Sequence, residues 1–423
     1  MRDAPIKAKL GDLADLEMGQ SPSSMYVNEV GHGIPFLQGN AEFGSISPTH
    51  RLFCSRPGKL CEQGDILISV RAPVGALNKA GRVYCIGRGL AAVRFARASP
   101  EFGWHLLCYW ARNLQTVAQG STFQAVGKDE LQNLSVTSFD LPEQRRIAEI
   151  LDTADEAIQA TKRLIEKLKA AKQGLLHDLL TRGLDAEGRL RDPAAHPERF
   201  VDSPLGRVPR EWDVMTLGEV CERNGGSVQT GPFGSQLHAA DYKAEGTPII
   251  TVEHLGDGEI LHANLPLVGE RDLTRLSRYG LQKGDLVFSR VGAIDRCAIV
   301  TDREYGWLFS GRCLRVRPGL GWLSSLFLSY QLNSYDVRRW ILNHSVGSTM
   351  PCLNTSILSA VPIRVPQTAE RNSIAVILGA QDALIRAEEA HRDKLMQLKK
   401  GLMEDLLTGR VRVKGWSAEP RSR

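Results

Sequence analysis

Residues 142–181, PEQRRIAEILDTADEAIQATKRLIEKLKAAKQGLLHDLLT, predict a long amphipathic helix, and a similar pattern returns at residues 370–408, ERNSIAVILGAQDALIRAEEAHRDKLMQLKKGLMEDLLT. Within these segments, IAEIL (147–151) aligns with IAVIL (374–378), and GLLHDLLT aligns with GLMEDLLT, both without gaps and both 227 residues apart. Two ungapped matches at one offset indicate an internal duplication and disfavour two unrelated surface helices.

Apolar residues in the first segment recur at alternating steps of four and three residues, which is the spacing of a coiled-coil seam. Lys172 interrupts this seam, and Glu388 and Arg392 interrupt the second one. About forty residues at 1.5 Å rise make a rod of roughly 60 Å. We expect the two helices to pair with each other through Ile147, Leu151, Ile158, Leu168, Leu175, Ile374, Leu378, Ile385, Leu395 and Leu402.

The regions before the two helices also resemble each other. LGDL at residues 10–13 corresponds to LGEV at 217–220, and a glycine–aspartate pair precedes an apolar run at residues 64–71 and again at 284–290. Strand-like runs with turn signals, and one helix in each region, predict two similar mixed α/β heads. The predicted segments are a first head (1–140), a central helix (141–183), a linker (184–211), a second head (212–364), a distal helix (365–408) and a basic tail (409–423).

The predicted fold class is therefore α+β, with two similar heads and two long helices that pair as an antiparallel coiled coil. An antiparallel pair fits a layout in which each head precedes its helix, because it brings the end of the first helix near the second head, as the short linker requires. It would place the heads at opposite ends of the rod. Five tryptophans in the heads, which we expect in the cores rather than on binding surfaces, are Trp104, Trp110, Trp307, Trp322 and Trp340.

Composition limits the function classes only loosely. The chain has 423 residues, 42% of them hydrophobic and 24% charged, which is typical of a soluble globular protein with two or more domains. A net charge of +5 permits a nucleic-acid partner without requiring one. The N-terminus has no apolar signal-peptide core, and no apolar run is long enough to span a membrane. Eight scattered cysteines without a C-x-x-C pair indicate free thiols in a reducing cytoplasm.

Catalytic signatures are missing from the sequence. It has no phosphate-binding G-x-x-x-x-G-K-[ST] loop, no H-E-x-x-H helix and no G-x-S-x-G nucleophile turn. It also has no Asp/Asn-Pro-Pro-aromatic stretch of the kind that holds a flipped adenine, and no zinc-binding cysteine pattern. Together these absences make an autonomous enzyme improbable, so we expect no catalytic residue, bound metal or cofactor in this chain.

The complete layout of head, helix, linker, head and helix resembles the specificity (S) subunit of type I restriction–modification enzymes. The segments with the strongest resemblance are LPEQRRIAEILD (141–152) at the helix start, KQGLL (172–176) and KKGLM (399–403) at the helix ends, and DSPLGRVPREW (202–212) in the linker. The second helix start, QTAERNS (367–373), departs from the pattern of the first.

This resemblance implies that each head recognises one half of a split DNA sequence, and that the helices set the spacing and dock two modification subunits. Those subunits are expected to bind S-adenosylmethionine and methylate adenine. A restriction subunit is expected to cut DNA with ATP and Mg. The location would be the cytoplasm of a bacterium or archaeon. The rod exceeds the roughly 34–36 Å between half-sites one DNA turn apart, and two equivalent helices offer two docking surfaces.

Candidate DNA contacts are basic or polar residues of the two heads. Phosphates or guanine edges suit the basic ones, base edges suit Gln236 and Tyr242, and phosphates suit the hydroxyl pairs that follow the head helices. Ordinary solvated charges and helix-ending turns remain open alternatives for many of them. The candidates are Arg71, Ser121, Thr122, Lys128, Gln236, Tyr242, Arg290, Arg312, Ser348 and Thr349.

Three functions remain open at this stage. The chain can be a DNA-recognition subunit without catalysis, or a specificity chain for a different restriction–methylation complex with one type of catalytic partner. It can also be a purely structural coiled-coil adaptor. The catalytic partner separates the first two, and specific DNA binding separates both from the third.

Overall fold

The structure is a computed structural model that describes residues 6–117, 125–232, 234, 236–319, 324–347 and 351–413. The chain forms two compact units, one from residues 1–163 with 388–423 and the other from residues 164–387. Each unit contains one head and one part of each long helix, whereas the predicted segments end where the helices end. Within the described ranges, no helix combines the length and apolar composition needed to cross a membrane.

Both long helices have the predicted bounds to within three residues. The first long helix is Leu141–Thr181 and the second long helix is Thr368–Leu407. The Asp140 carboxylate accepts a hydrogen bond from the Glu143 backbone N at 2.9 Å, which caps the first helix start. Gly183, with φ of +65°, and Gly409, with φ of +76°, follow the two helix ends. Glycine is favoured there because other residues resist a left-handed backbone.

In its described residues, the first head is built from short strands, one helix of 18 residues and two helices of about one turn. The helices are Leu10–Leu13, Pro100–Val117 and Lys128–Gln132. The strands are β1 (Ile6–Lys9), β2 (Asp15–Met18), β3 (Val27–Asn28), β4 (Ile34–Leu37), β5 (Leu52–Cys54), β6 (Leu60–Cys61), β7 (Ile66–Ser69), β8 (Leu77–Lys79), β9 (Tyr84–Ile86), β10 (Leu90–Arg94) and β11 (Ser135–Ser138).

These strands form a four-stranded sheet in the order β2-β10-β7-β8, a five-stranded sheet in the order β3-β5-β4-β9-β6, and the pair β1-β11. The β4–β9 pair is parallel, while the other pairs are antiparallel. Because β10 is central in one sheet and follows β9 of the other, one short turn connects the two sheets.

The second head repeats this plan. Its helices are Leu217–Glu222, Glu270–Arg275, Ser325–Leu332, Tyr335–His344 and Thr355–Ser359. Its sheets have the orders β15-β21-β18-β19, β17-β16-β20 and β14-β22, with β16–β20 parallel. The strands are β12 (Phe200–Ser203), β13 (Gly206–Pro209), β14 (Asp213–Thr216), β15 (Ser227–Thr230), β16 (Thr247–Ile250), β17 (Leu267–Val268), β18 (Leu286–Ser289), β19 (Cys297–Ile299), β20 (Leu308–Phe309), β21 (Cys313–Arg317) and β22 (Pro362–Val365).

Two sequence predictions differ from the structure. The one helix predicted late in the second head is two helices, Ser325–Leu332 and Tyr335–His344, because Ser334 between them has an extended backbone. Residues 184–211, predicted as a linker, contain the β12–β13 hairpin, and Leu184, Leu205 and Val208 are buried in the core of the second unit. Apolar residues spaced among the polar ones explain this ordered packing.

The ends of the long helices lie in the head cores rather than in a helix–helix seam alone. Ile147 and Leu151 pack in the core of the first unit together with Met403 and Leu406. Ile374 and Leu378 pack in the core of the second unit. Ile158 and Ile385 are buried outside these cores, and the remaining predicted seam residues are half-buried, namely Leu168, Leu175, Leu395 and Leu402. The seam prediction was therefore incomplete, because apolar helix ends also close the heads.

Within each unit the two helix parts run antiparallel. In the first unit Asp155 contacts Lys399, at 2.6 Å between Nζ and each carboxylate oxygen, while the earlier Glu143 contacts the later Arg412. In the second unit Lys172 lies 2.5 Å from an Asp382 carboxylate oxygen. Lys172, the charge that interrupts the first predicted seam, therefore forms an ion pair between the two helices. The 227-residue repeat relates Lys172 to Lys399 and Asp155 to Asp382, so the two ion pairs are equivalent in the duplication.

Candidate nucleic-acid interface

The glycine–aspartate turns that revealed the duplication have the same internal ion pair in both heads. Arg94 donates to the buried Asp65 at 2.8 and 2.9 Å, and Arg317 donates to the buried Asp285 at 2.7 and 2.6 Å. The bidentate contact with the Asp65 carboxylate raises the pKa of Arg94. Because these arginines are engaged inside each head, they hold the sheet and not a ligand.

An open cleft of about 710 Å³ lies on the second head. Two predicted DNA contacts, Tyr242 and Arg312, line it. Arg312 is exposed, and Tyr242 is half-buried. Burial raises the pKa of the Tyr242 phenol, although the positive charge of Arg312 opposes that shift, so the phenol remains a hydrogen-bond donor at neutral pH. A cation beside a neutral donor in an open cleft suits the edges of bases or a phosphate.

The same cleft contains polar residues that were not predicted from the sequence. They are Asn264, whose backbone has φ of +55°, together with Glu253, His238 and the buried His254. The His254 Nδ1 lies 2.9 Å from the Thr251 hydroxyl, so this histidine braces the cleft wall. Glu253 and His254 lie in the short helical turn Val252–His254, and His238 and Asn264 lie in irregular segments. No spacing in the sequence marks these four residues.

The other predicted contacts have different placements. Gln236 lies outside the cleft lining, and its Oε1 accepts from the Tyr279 hydroxyl at 2.9 Å. Arg290 donates through its guanidinium to the Gly311 carbonyl at 3.2 Å, so it supports the residue next to Arg312. Arg71 and Lys128 are exposed. The predicted hydroxyl contacts lie outside the described residues, namely Ser121, Thr122, Ser348 and Thr349.

Four of the tryptophans predicted in the cores pack partly buried against them. Trp104 and Trp110 pack against the first head core, and Trp307 and Trp340 pack against the cores of the second unit. These four therefore lie at the edges of the cores, and Trp322 lies outside the described residues.

A buried carboxylate stands at the start of each long helix. Glu370 accepts hydrogen bonds from Arg191 at 2.5 and 3.2 Å, from the Leu184 backbone N at 2.7 Å and from the Trp212 indole at 3.0 Å. Glu143, its counterpart in the repeat, accepts from Arg412 at 2.8 and 2.6 Å. Each carboxylate therefore ties the chain segment that follows one long helix to the start of the other within its own unit.

The second helix start, residues 367–373, departs in sequence from the first helix start but keeps an equivalent hydrogen bond. Gln144 donates to the Phe139 carbonyl at 2.8 Å, and Arg371, its counterpart in the repeat, donates to the Pro366 carbonyl at 3.4 Å. Both acceptors lie five residues before the donor. The second helix start thus differs in sequence more than in its hydrogen-bonding arrangement.

Metal and thiol chemistry have no visible site in the described ranges. No cluster of three or more histidine, cysteine or acidic side chains there has a geometry that holds a metal ion. All eight cysteines are unpaired, and burial raises the pKa of Cys61, Cys108 and Cys221 to about 11. Such thiols are protonated at neutral pH and therefore poor nucleophiles.

Residues 7–170 and 209–397 match the family model described as the type I restriction modification DNA specificity domain. The putative type I restriction enzyme MjaX specificity subunit of Methanocaldococcus jannaschii is 39% identical over 166 residues, which are 39% of this chain and 39% of that protein. The MjaVIII specificity subunit of the same organism is 25% identical over 305 residues, 71% of this chain and 68% of that protein.

A crystal structure of a type I restriction–modification S subunit from M. genitalium has the same fold. It aligns with a TM-score of 0.53 and 15% sequence identity, over 96% of this chain and 97% of that one. At this identity the match concerns the fold, and it includes both heads and both long helices.

Proposed function

Because this chain belongs to the family of type I restriction modification DNA specificity domains, we propose that it is the DNA sequence-specificity subunit of a type I restriction–modification complex. The observation that carries this proposal is that the family model matches twice, once over each head with most of the long helix that follows it. Each head is then a target-recognition domain for one half of a bipartite sequence.

The second head has a surface suited to this role. Its cleft combines a cation, a neutral phenol, an amide and a carboxylate, namely Arg312, Tyr242, Asn264 and Glu253. Arginine suits guanine, asparagine suits adenine and a carboxylate suits cytosine in the major groove. Such a mixed set supports sequence recognition better than a uniformly basic surface, which would favour phosphates alone.

Catalysis is assigned to associated chains. Two modification subunits would dock on the two long helices, bind S-adenosylmethionine and methylate adenine, and restriction subunits would cut DNA with ATP and Mg. The names of the two Methanocaldococcus relatives, each a specificity subunit of a type I restriction enzyme, support this division of labour. The duplicated helices supply two similar surfaces, which suits two copies of one partner.

Exchange of one head tests the proposal. Residues 212–364 are replaced by the equivalent head of a relative with a known target, and methylated adenines are mapped in host DNA that carries the modification partner. We expect one half of the methylated sequence to change while the other half and its methylation persist. The reciprocal exchange of residues 1–140 serves as the matched control and should change only the other half.

Two results would contradict the proposal. A change in both halves after a single exchange would refute separate recognition by each head. Binding of the assembled complex to every duplex with equal affinity would favour a structural adaptor instead. Purification of the complex also identifies its catalytic partner, which distinguishes a type I complex from another restriction–methylation system.

A further inference from the structure

Each head contains a four-residue turn that joins its two larger sheets. In the first head the turn is Gly87-Arg88-Gly89-Leu90, closed by a hydrogen bond from the Leu90 N to the Gly87 carbonyl at 2.9 Å. In the second head it is Ser310-Gly311-Arg312-Cys313, closed from the Cys313 N to the Ser310 carbonyl at 2.9 Å. Both turns begin directly after the parallel strand, β9 or β20, and lead into the central strand, β10 or β21.

Three further backbone hydrogen bonds show that these turns are structurally equivalent. The first turn residue donates to the end of the parallel neighbour, from Gly87 to Leu37 at 2.8 Å and from Ser310 to Ile250 at 2.9 Å. The carbonyl of the third turn residue accepts from the residue that follows a neighbouring strand, which is Val70 at 2.9 Å in the first head and Arg290 at 2.8 Å in the second. The carbonyl of the fourth turn residue accepts from Gly19 at 2.9 Å in the first head and from Gly231 at 3.1 Å in the second. The same bonds recur although the turn sequences differ.

Close backbone packing makes both turns rigid. A Cβ on Gly19 would lie 2.2 Å from the Gly87 carbonyl oxygen, and a Cβ on Gly231 would lie 2.1 Å from the Ser310 carbonyl oxygen. A side chain at either glycine would therefore displace the turn. In the second head the guanidinium of Arg290 also bonds to Gly311, which adds a side-chain brace to the turn.

Each turn presents one exposed arginine at a central position, Arg88 in the first head and Arg312 in the second. The Arg88 backbone N bonds to the Ser21 hydroxyl at 3.3 Å, and among the described residues no ion pair engages the guanidinium of either arginine. The nearby Arg94 and Arg317, by contrast, are bound to buried aspartates. The turns thus hold a free cation on a fixed backbone in both heads.

We propose that Arg88 and Arg312 are equivalent DNA-contacting residues, each bound to the half-site that its own head recognises. This inference rests on the proposed function, and it adds Arg88, a residue of the first head that the sequence did not mark as a DNA contact. A rigid mount suits an arginine that contacts DNA, because less conformational entropy is lost on binding. The guanidinium can form two parallel hydrogen bonds to a guanine edge or bind a phosphate.

The test uses the full chain assembled with its modification partner and duplexes that contain the methylated target. Affinity is measured for the unaltered complex and for Arg88→Ala and Arg312→Ala, at several salt concentrations. We expect each variant to bind about 5- to 150-fold more weakly. A guanine contact would also relax the sequence preference at one position in the half-site of that head, whereas a phosphate contact would lower the salt slope by about 1 without such relaxation.

Matched controls exist in both heads. Arg82 and Arg303 are exposed arginines that precede the same strands, β9 and β20, at the end opposite to the turn. Arg82→Ala and Arg303→Ala should leave affinity and methylated sequence unchanged. Unaltered melting temperatures would show that all four variants remain folded.

Unchanged affinity and unchanged methylation in Arg88→Ala, with specific binding by the unaltered complex, would overturn the equivalence while leaving the proposed function intact. An equal effect of Arg88→Ala on both half-sites would also overturn it. Absence of specific binding by the unaltered complex would instead refute the proposed function.

Discussion

Replacing Glu370 with glutamine removes one negative charge from a cluster that connects residues 184–212 to the start of the second long helix. The Glu370 side chain is 10% exposed and that of Arg191 is 9% exposed. Glutamine has nearly the same shape, so packing is retained while the Arg191 guanidinium is left buried beside an amide. The substitution therefore isolates the charge.

The expected cost follows from this burial. Loss of one partner from a buried ion pair costs about 3–5 kcal/mol, and we expect the lower part of this range because Arg191 keeps the exposed Glu211 carboxylate as a partner at 3.1 Å. For a unit of this size, 1 kcal/mol lowers the melting temperature by about 2–4 °C, so the second unit should melt roughly 6–20 °C lower. The double substitution Arg191→Met with Glu370→Gln removes both charges and keeps an amide oxygen as acceptor beside the Leu184 N and the Trp212 indole, so it should recover much of this loss.

Thermal unfolding combined with hydrogen–deuterium exchange is the appropriate assay, since a chain with two units need not unfold in one step. Exchange should accelerate at residues 184–212 and at the start of the second long helix, and remain unchanged in the first head. Glu245→Gln, an exposed site in the same unit, is the control. A melting shift below about 2 °C in Glu370→Gln, or faster exchange confined to the first unit, would refute the reasoning.

Three further predictions address the helices and the first head. Lys172→Glu should destabilise the second unit by about 1–3 kcal/mol in urea unfolding, a moderate cost because the partner Asp382 is partly exposed. Adding Asp382→Lys should restore the stability. The control Lys167→Glu, at an exposed site, should have no effect on the stability. Leu151→Glu should unfold the first head, at a cost above about 4 kcal/mol, because Leu151 is fully buried in its core, while Leu164→Glu, at a site 42% exposed, should remain folded by circular dichroism. Burial lowers the pKa of His105 below its ordinary 6.5, although a hydrogen bond from the imidazole to the Asp152 carboxylate opposes this shift. Its contribution to stability should therefore be complete above pH 6.5 and fall as the pH decreases below it. Equal melting losses from pH 7 to 5 in the native chain and in His105→Gln would contradict this.

The long helices illustrate what the sequence makes accessible. Their bounds follow from a periodic apolar stripe, from helix interiors without proline and from glycines just past each end, which are local properties of the chain. The duplication was visible because both copies retain the residues that build helices and strands. The family followed from the same segments and was confirmed by the matches over both halves.

The binding surface was much less accessible from the sequence. Tyr242 and Arg312 were predicted as DNA contacts and line the cleft, whereas the predicted Gln236 bonds within the head and Arg290 supports a turn. Arg88 was missed because its turn has the sequence GRGL, and the turn of Arg312 has SGRC, so the two arginines do not align. Only hydrogen bonds between distant strands reveal that they occupy equivalent turns.

The sequence by itself determined the repeated plan of this protein, because helix periodicity, strand runs and turn residues act over short distances along the chain. The tertiary structure alone decided which charges are internal and which are presented to a ligand. The sequence shows Lys172 only as a charge within the predicted seam and gives no partner for Glu370, yet both have partners more than 150 residues away. Long-range packing sets the burial of a charge and its partners, and these determine whether it stabilises the fold or remains available to bind DNA.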